Sequence, residues 1–308
     1  MFPPAATAAE FDQLTRADLL PAARDLLRTL GEPGEPVPFA DGSLPVYAVG
    51  DQLVLKLYPP VHRDELTTER TMLEVLSGKL PVPTPGVVHA GTRDGWGYVV
   101  MERLRGRPLK QVWPGLSTAD KLALAPKIGE ALSALHSVRD PRLSVLAPAD
   151  WTAFLAAQRE KLVDHHRATA LDEHWLAQLP EFVGAVDLGT PETAPLHTEV
   201  MRDHLMVTRE GEGWRLSGLF DFEPAMRGAP EYEFAAAGLF VSGGDPAFLR
   251  SLLLAYGYRP ADLGPDFSRR CLAYALLHVY SNFRWYLEVL PAPKEPTFAS
   301  LADAWWGV

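Results

Sequence analysis

The alternation of apolar and polar positions divides the chain into a helix, a β-rich stretch and a long helical remainder interrupted by one hairpin. Phe11, Leu14, Leu19, Leu20, Ala23, Leu26, Leu27 and Leu30 fall near helical spacing, and Gly31 follows them, which predicts a leading helix over about 10–31. G-E-P-G-E-P then breaks the pattern. Short β-rich runs follow, separated by turn signals at Asp41-Gly42 and Gly50-Asp51. In V-L-K-L-Y the alternation sets Val54, Lys56 and Tyr58 on one face of a strand, whereas residues 64–76 return to helical spacing through Leu66, Met72, Leu73 and Leu76. Residues 98–101 are continuously apolar and predict a strand buried on both faces.

From Ser117-Thr118-Ala119-Asp120, an N-cap signature, the pattern is helical through Leu122, Ile128 and Leu132 to Leu135-His136. Two amphipathic segments fill residues 151–186. Runs at 205–207 and 216–220 flank Glu210-Gly211-Glu212-Gly213 and predict a β-hairpin. Residues 231–240 and 246–256 read as helices, and residues 267–290 as one long helix, apolar on most sides and therefore buried.

Composition narrows the class. The chain has 308 residues, of which 47% are hydrophobic and 22% charged, enough for one large domain or two lobes. Cys271 is the single cysteine, so an internal disulfide is excluded and a cysteine-based zinc site is unsupported. The N-terminal stretch lacks a basic leader, and no run reaches the ~20 apolar residues of a membrane span. The expectation is a cytoplasmic protein with no membrane partner. A net charge of −10 argues against a nucleic-acid partner and is compatible with a cationic small molecule.

Chemistry concentrates in two places. A lysine inside an apolar strand, Lys56, is costly to bury unless paired or set against phosphate, and Glu69 follows thirteen residues later on a predicted helix. Around the hairpin, His197 and Glu199 precede the first strand, His204 begins it, and Asp221 follows the second. An antiparallel hairpin is expected to gather Glu199, His204 and Asp221 at one end, a place to hold a metal and orient a nucleophile. His136 reads as a packing residue. His165, His166 and His174 read as surface or lid residues, because neighbours on a helix point in different directions.

These segments, L-H-T-E-V-M-R-D-H-L followed by L-F-D-F-E, resemble the aminoglycoside phosphotransferase and choline kinase families, whose catalytic loop reads H-G-D-x-x-x-x-N before a strand, a turn and I-D-F/W-x. P-V-P-T-P-G-V-V and Y-V-V-M-E-R-L-R-G resemble the same families' strand entry and inter-lobe linker, and G-A-P-E-Y-E-F-A their G-D-P-x-Y-D-L-A. The ending resembles hygromycin B kinases. The resemblance covers roughly residues 36–306 and implies an α+β, bilobal, protein-kinase-like fold. A nucleotide lobe would occupy 1–104 and a mainly helical catalytic and substrate lobe 105–308.

It further implies that Ser43 and neighbouring amides meet phosphate, that Glu69 aims Lys56 at the phosphates, and that Met101, the Glu102 carbonyl and the Leu104 amide frame the adenine. His197 is the loop histidine, Glu199 stands at the catalytic aspartate, His204 at the metal-binding asparagine, and Asp221 at the metal aspartate. Glu223, Glu231, Tyr286, Asp303 and Trp305 are candidates for the acceptor pocket. The implied reaction moves the γ-phosphoryl group of ATP or GTP, with Mg2+ or Mn2+, to a hydroxyl of a small, cationic, aminoglycoside-type acceptor. A nucleoside antibiotic, a sugar or a choline-like metabolite stays open as acceptor. Glu199, His204 and Ala229 also leave open a kinase-like binding protein without transfer.

Overall fold

A computed structural model describes residues 1–32, 34–211 and 213–308. Pro33, in the predicted break, and Glu212, in the predicted hairpin loop, lie outside the described residues. The chain forms two compact units: Met1–Arg105 with Asp140–Val145 and Ser217–Pro224, and Gly106–Arg139 with Leu146–Leu216 and Ala225–Val308. Among the described residues no helix is long and apolar enough to cross a membrane.

In the first unit, the leading helix predicted over 10–31 is two helices, α1 (Ala8–Asp12) and α2 (Arg16–Leu30). Periodicity missed the break because Thr15 and Asp18 form a capping box: the Thr15 side chain accepts from the Asp18 N–H and the Asp18 carboxylate accepts from that of Thr15. The reciprocal bonds satisfy donors that a continuous helix would leave to the preceding turn. Gly31 ends α2 in the left-handed region, φ 81°, where a residue without Cβ is unstrained.

The β-rich stretch yields β1 (Pro36–Pro38), β2 (Val46–Val49), β3 (Leu53–Tyr58), helix α3 (Arg63–Leu76), β4 (Val87–Arg93) and β5 (Trp96–Glu102). The strands form one antiparallel sheet in the order β1-β2-β3-β5-β4. Leu19, Ala23, Leu26 and Leu27 of α2 pack on Tyr47, Leu55, Leu57, Trp96 and Val100. Lys56 sits at the centre of the sheet, paired with Val46 and Val99, and its odd-even position sends it to the face opposite Leu55 and Leu57.

The second unit contains β6 (Arg107–Pro108), α4 (Leu109–Val112), α5 (Thr118–His136), α6 (Trp151–Ala168), α7 (Glu173–Ala185) and β7 (Ala194–Leu196). The predicted hairpin is β8 (Leu205–Glu210) and β9 (Gly213–Leu219), whose last residues return the chain to the first unit. Then come β10 (Met226–Gly228), α8 (Pro230–Ala236), α9 (Pro246–Tyr256), α10 (Pro265–Leu277), α11 (Phe283–Val289) and α12 (Phe298–Trp306). Gly129 lets α5 cross α9 closely: a Cβ there would stand 2.1 Å from the Leu252 carbonyl oxygen. A π-helical turn, Ala237–Ser242, follows α8.

The single helix expected over 267–290 is α10 and α11, interrupted at 278–282. Side chains from α6 stabilise that break. His166 Nε2 donates to the Leu276 carbonyl at 3.0 Å and Gln158 Nε2 to the Leu277 carbonyl at 3.0 Å, satisfying acceptors exposed by the helix end. Asn282 then caps α11 by accepting from the Trp285 N–H at 3.2 Å. His166 is consequently fully buried rather than a surface residue. His165 donates to the Ser281 carbonyl at 2.7 Å, and exposed His174 to that of Pro296 at 2.7 Å.

Candidate active site

Four charged groups converge in the first unit. The Lys56 ammonium lies 2.8 Å from Glu69, 2.5 Å from Asp221 and in contact with Glu223. β3 supplies the lysine, α3 supplies Glu69, and the segment after β9 supplies Asp221 and Glu223. Asp221 is held in the left-handed region, φ 75°, where non-glycine residues are uncommon. Tyr58 donates its hydroxyl to Glu69. Burial alone would push the Lys56 pKa down; Asp221 and Glu69 outweigh it and hold the amine above its ordinary value, so it stays charged. Burial, and then the Glu69 charge, drive the Tyr58 hydroxyl well up, so it stays a donor.

One ammonium thus faces three carboxylates, whose ligand oxygens lie within 4.8 Å of one another. The set carries more negative charge than the lysine balances, and its donors are all hard oxygen. That chemistry fits a divalent cation of the magnesium or manganese type rather than zinc.

In the second unit, β7 pairs with β10, Leu196 opposite Met226, and ends at Leu196, directly before His197. The next turn is fastened from several sides. The His197 N–H donates to Glu233 Oε2 at 2.7 Å, and His136 Nε2 lies 3.4 Å from the same oxygen with its Nδ1 2.9 Å from the Tyr256 hydroxyl. Burial would raise the Glu233 pKa, but the His136 bond and charge, with His197, hold it below the usual value. Nδ1 of His197 accepts from the Glu199 N–H at 3.3 Å, and Nδ1 of His204 donates to the Glu199 carbonyl at 2.7 Å. The two imidazoles stack at 5.7 Å and 25°. Thr198 occupies φ 71°, a left-handed position filled by glycine in H-G-D and by a β-branched residue here.

Glu199 is half-buried and lines a cavity of about 140 Å3 with His278, Phe240, Asn282, Trp285 and Tyr286. The 278–282 break places His278 and Asn282 there. Burial pushes His278 down to about 4, with the Thr198 carbonyl and Glu233 opposing, so its ring is neutral near pH 7.

Of the residues expected at an acceptor pocket, Tyr286 lines this cavity and four lie elsewhere. Glu223 is in the lysine cluster. Glu231 is clamped by Arg270 at 2.7 and 2.8 Å, a bidentate pair that consumes its carboxylate. Trp305 is buried, with Nε1 donating to the Pro291 carbonyl at 2.8 Å, and Asp303 is exposed in the last helix. Ser43 is exposed in the β1–β2 connection. Met101 and Glu102 end β5, where the Glu102 N–H donates to the Gly86 carbonyl at 2.8 Å, and Leu104 packs on Gly218. Glu233, His136 and His278 are the contributors that sequence reasoning did not assign to the site. The Glu233 position within G-A-P-E-Y-E-F-A was the available signal for the first.

An antiparallel five-stranded unit with a buried Lys–Glu pair, and a helical unit with a histidine-anchored acidic loop, define a small-molecule kinase. Residues 35–270 match the sequence profile of the phosphotransferase enzyme family, APH, and the chain belongs to that family. The GDP and kanamycin complex of APH(2″)-IIIa is similar in fold, with a TM-score of 0.71 at 18% identity over 87% of this chain and 95% of that one. Macrolide 2′-phosphotransferase MphH from Brachybacterium faecium gives a TM-score of 0.63 at 19% identity over 90% and 100%. Among curated proteins, lysine-specific demethylase JMJ21 of Arabidopsis thaliana is 26% identical over 218 residues, 57% of this chain; the chain spans 23% of that relative's length.

Proposed function

We propose that this protein transfers the γ-phosphoryl group of ATP or GTP to a hydroxyl of a small molecule. The observation that carries the reading is the Lys56–Glu69–Asp221–Glu223 cluster, a charged lysine fixed by one helix carboxylate and set against two more. In the transfer, the bond from the γ-phosphorus to the bridging oxygen breaks, a bond from the acceptor oxygen to phosphorus forms, and the hydroxyl proton passes to Glu199. The nucleoside diphosphate leaves with the bridging oxygen. Lys56 neutralises charge on the donor phosphates, with Glu69 fixing its direction. Asp221 and Glu223 would hold Mg2+ or Mn2+, which supplies charge neutralisation to the phosphates. Backbone groups from Met101 to Leu104 would receive the nucleobase, and Ser43 with its neighbours the phosphates.

In this reading His204 is a positioning residue, since its Nδ1 is engaged with the Glu199 carbonyl. Glu199 reaches one methylene further than an aspartate, and the double histidine anchor fixes where that longer carboxylate starts. Aminoglycoside and macrolide acceptors are both in range: one relative of the same fold binds kanamycin, another is a macrolide 2′-phosphotransferase, and the net charge of −10 suits a cationic group on either.

The test is mass spectrometry of hydroxylated antibiotics incubated with the protein, ATP or GTP, and Mg2+ or Mn2+. Addition of one phosphoryl group, lost in Asp221→Ala, is the expected result. Nucleotide-dependent stabilisation without transfer to any member would instead favour the binding-protein alternative.

A further inference from the structure

The cavity beside Glu199 restricts what the acceptor can be, and its chemistry differs from that expected for a polycation. Its volume of about 140 Å3 is close to that of an engineered apolar cavity that takes a single benzene. One ring-sized group therefore fills it. Its lining includes no Lys, Arg or Asp, and Glu199 is its one carboxylate. Phe240, Trp285 and Tyr286 form one wall, with Phe240 stacked on Trp285 at 5.7 Å and edge-on to Tyr286 at 5.6 Å. Opposing charge is scarce here: a single carboxylate balances a single ammonium, and further desolvated ammonium groups would be left unpaired.

The apolar character continues outward. Tyr280, Trp285 and Val289 are 58%, 44% and 52% exposed, although each is a large hydrophobic residue. Trp285 and Val289 lie four residues apart on α11 and so share a face, and Tyr280 and Trp285 also line the cavity. An exposed apolar strip continuous with a pocket marks a ligand surface.

We propose that the acceptor is a hydroxylated compound with an apolar body, uncharged or singly cationic, which seats one ring in the cavity beside Glu199 and lays the remainder along Tyr280, Trp285 and Val289. The proposal rests on the phosphotransferase reading and narrows it away from polyamino sugars.

The experiment compares kcat/KM for two panels at saturating nucleotide and Mg2+: ring alcohols carrying an alkyl or aryl tail, with and without one amine, and polycationic aminosugars such as kanamycin. The expected result is at least a hundredfold preference for the first panel. Val289→Asp should raise KM for tailed acceptors about tenfold while leaving the KM for nucleotide unchanged. Equal or better turnover of kanamycin overturns the proposal. If neither panel is phosphorylated, the phosphotransferase reading fails, and acceptor binding is decided separately by tryptophan fluorescence with Trp285→Phe as the control. Saturable quenching by tailed alcohols and not by kanamycin, lost in that variant, upholds the apolar site; its absence overturns it.

Discussion

His204 donates from Nδ1 to the backbone carbonyl of Glu199 at 2.7 Å, and thereby fixes the peptide that carries the candidate base. The Glu199 N–H is accepted by His197 on the other side, so two stacked imidazoles hold one residue by both its backbone groups. Imidazole at this position therefore has a local structural use that does not depend on metal.

His204→Ala should release the carbonyl and let Glu199 drift. A displacement of about 1 Å at a positioned catalytic group costs up to about a hundredfold in rate, so a fall in kcat of roughly ten- to a hundredfold is expected. The concentration of Mg2+ giving half-maximal rate should not change. A metal titration of transfer by the variant checks this, and a large rise in metal requirement would assign His204 to the metal instead.

The Lys56 ammonium contacts Glu69, Asp221 and Glu223 together. Removing one partner of a buried ionic cluster leaves the rest uncompensated and costs about 3–5 kcal/mol. Lys56→Ala should lose that much stability in urea denaturation. Added Mg2+ should restore part of it, because the cation replaces the missing positive charge. A variant as stable as the parent, with no response to Mg2+, would show that the carboxylates are not electrostatically coupled to the lysine.

Thr198 at φ 71° carries strain of about 1–2 kcal/mol that glycine would not. Glycine also gains unfolded-state entropy worth about 0.4–1 kcal/mol, which offsets part of the relief. Thr198→Gly also removes a fully buried side chain, whose lost contacts offset the remaining relief, so its stability in urea should stay within about 1 kcal/mol of the parent. A loss of about 3 kcal/mol or more would show that the left-handed backbone carries no strain that glycine relieves.

Burial sets His166 and His278 to about 4, well below an unfolded histidine near 6.5. In both, the folded state favours the neutral ring. Below pH 6.5 the unfolded chain binds up to two more protons at these sites, so their contribution is complete above that pH and is lost as pH falls toward 4. The two sites together give a slope of about 2.7 kcal/mol per pH unit between roughly pH 6 and 4.5. Denaturation midpoints should be level above pH 7 and decline steeply below pH 6; a level profile to pH 5 would contradict the burial of these neutral rings.

Much of the secondary structure was legible because apolar spacing and turn chemistry agreed: Gly31, Ser117 and the hairpin after residue 205 all stand where local rules put them. The misreadings share one cause, a polar side chain satisfying backbone groups that periodicity cannot register. Thr15 and Asp18 divide the first helix, and His166, Gln158 and Asn282 stabilise the interruption at 278–282. That second break matters most for the site, since it places His278 and Asn282 at the cavity. Lys56 and Glu69 could be paired because, by resemblance, they fall at the strand lysine and helix glutamate of the kinase-like families; their spacing alone would not have joined them. Glu223 was expected at an acceptor pocket because sequence order gives no direction to the side chain two residues beyond Asp221, and it lies against Lys56 instead.

The most direct test of the account is calorimetric nucleotide binding, measured with and without Mg2+, for the parent protein and for Asp221→Asn and Glu223→Gln. The cluster predicts that Mg2+ tightens binding of ATP or GTP in the parent, and that each variant weakens the Mg2+-dependent part at least tenfold with little effect in its absence. Binding that ignores both Mg2+ and the two carboxylates would contradict the assignment of the Lys56 cluster as the donor site.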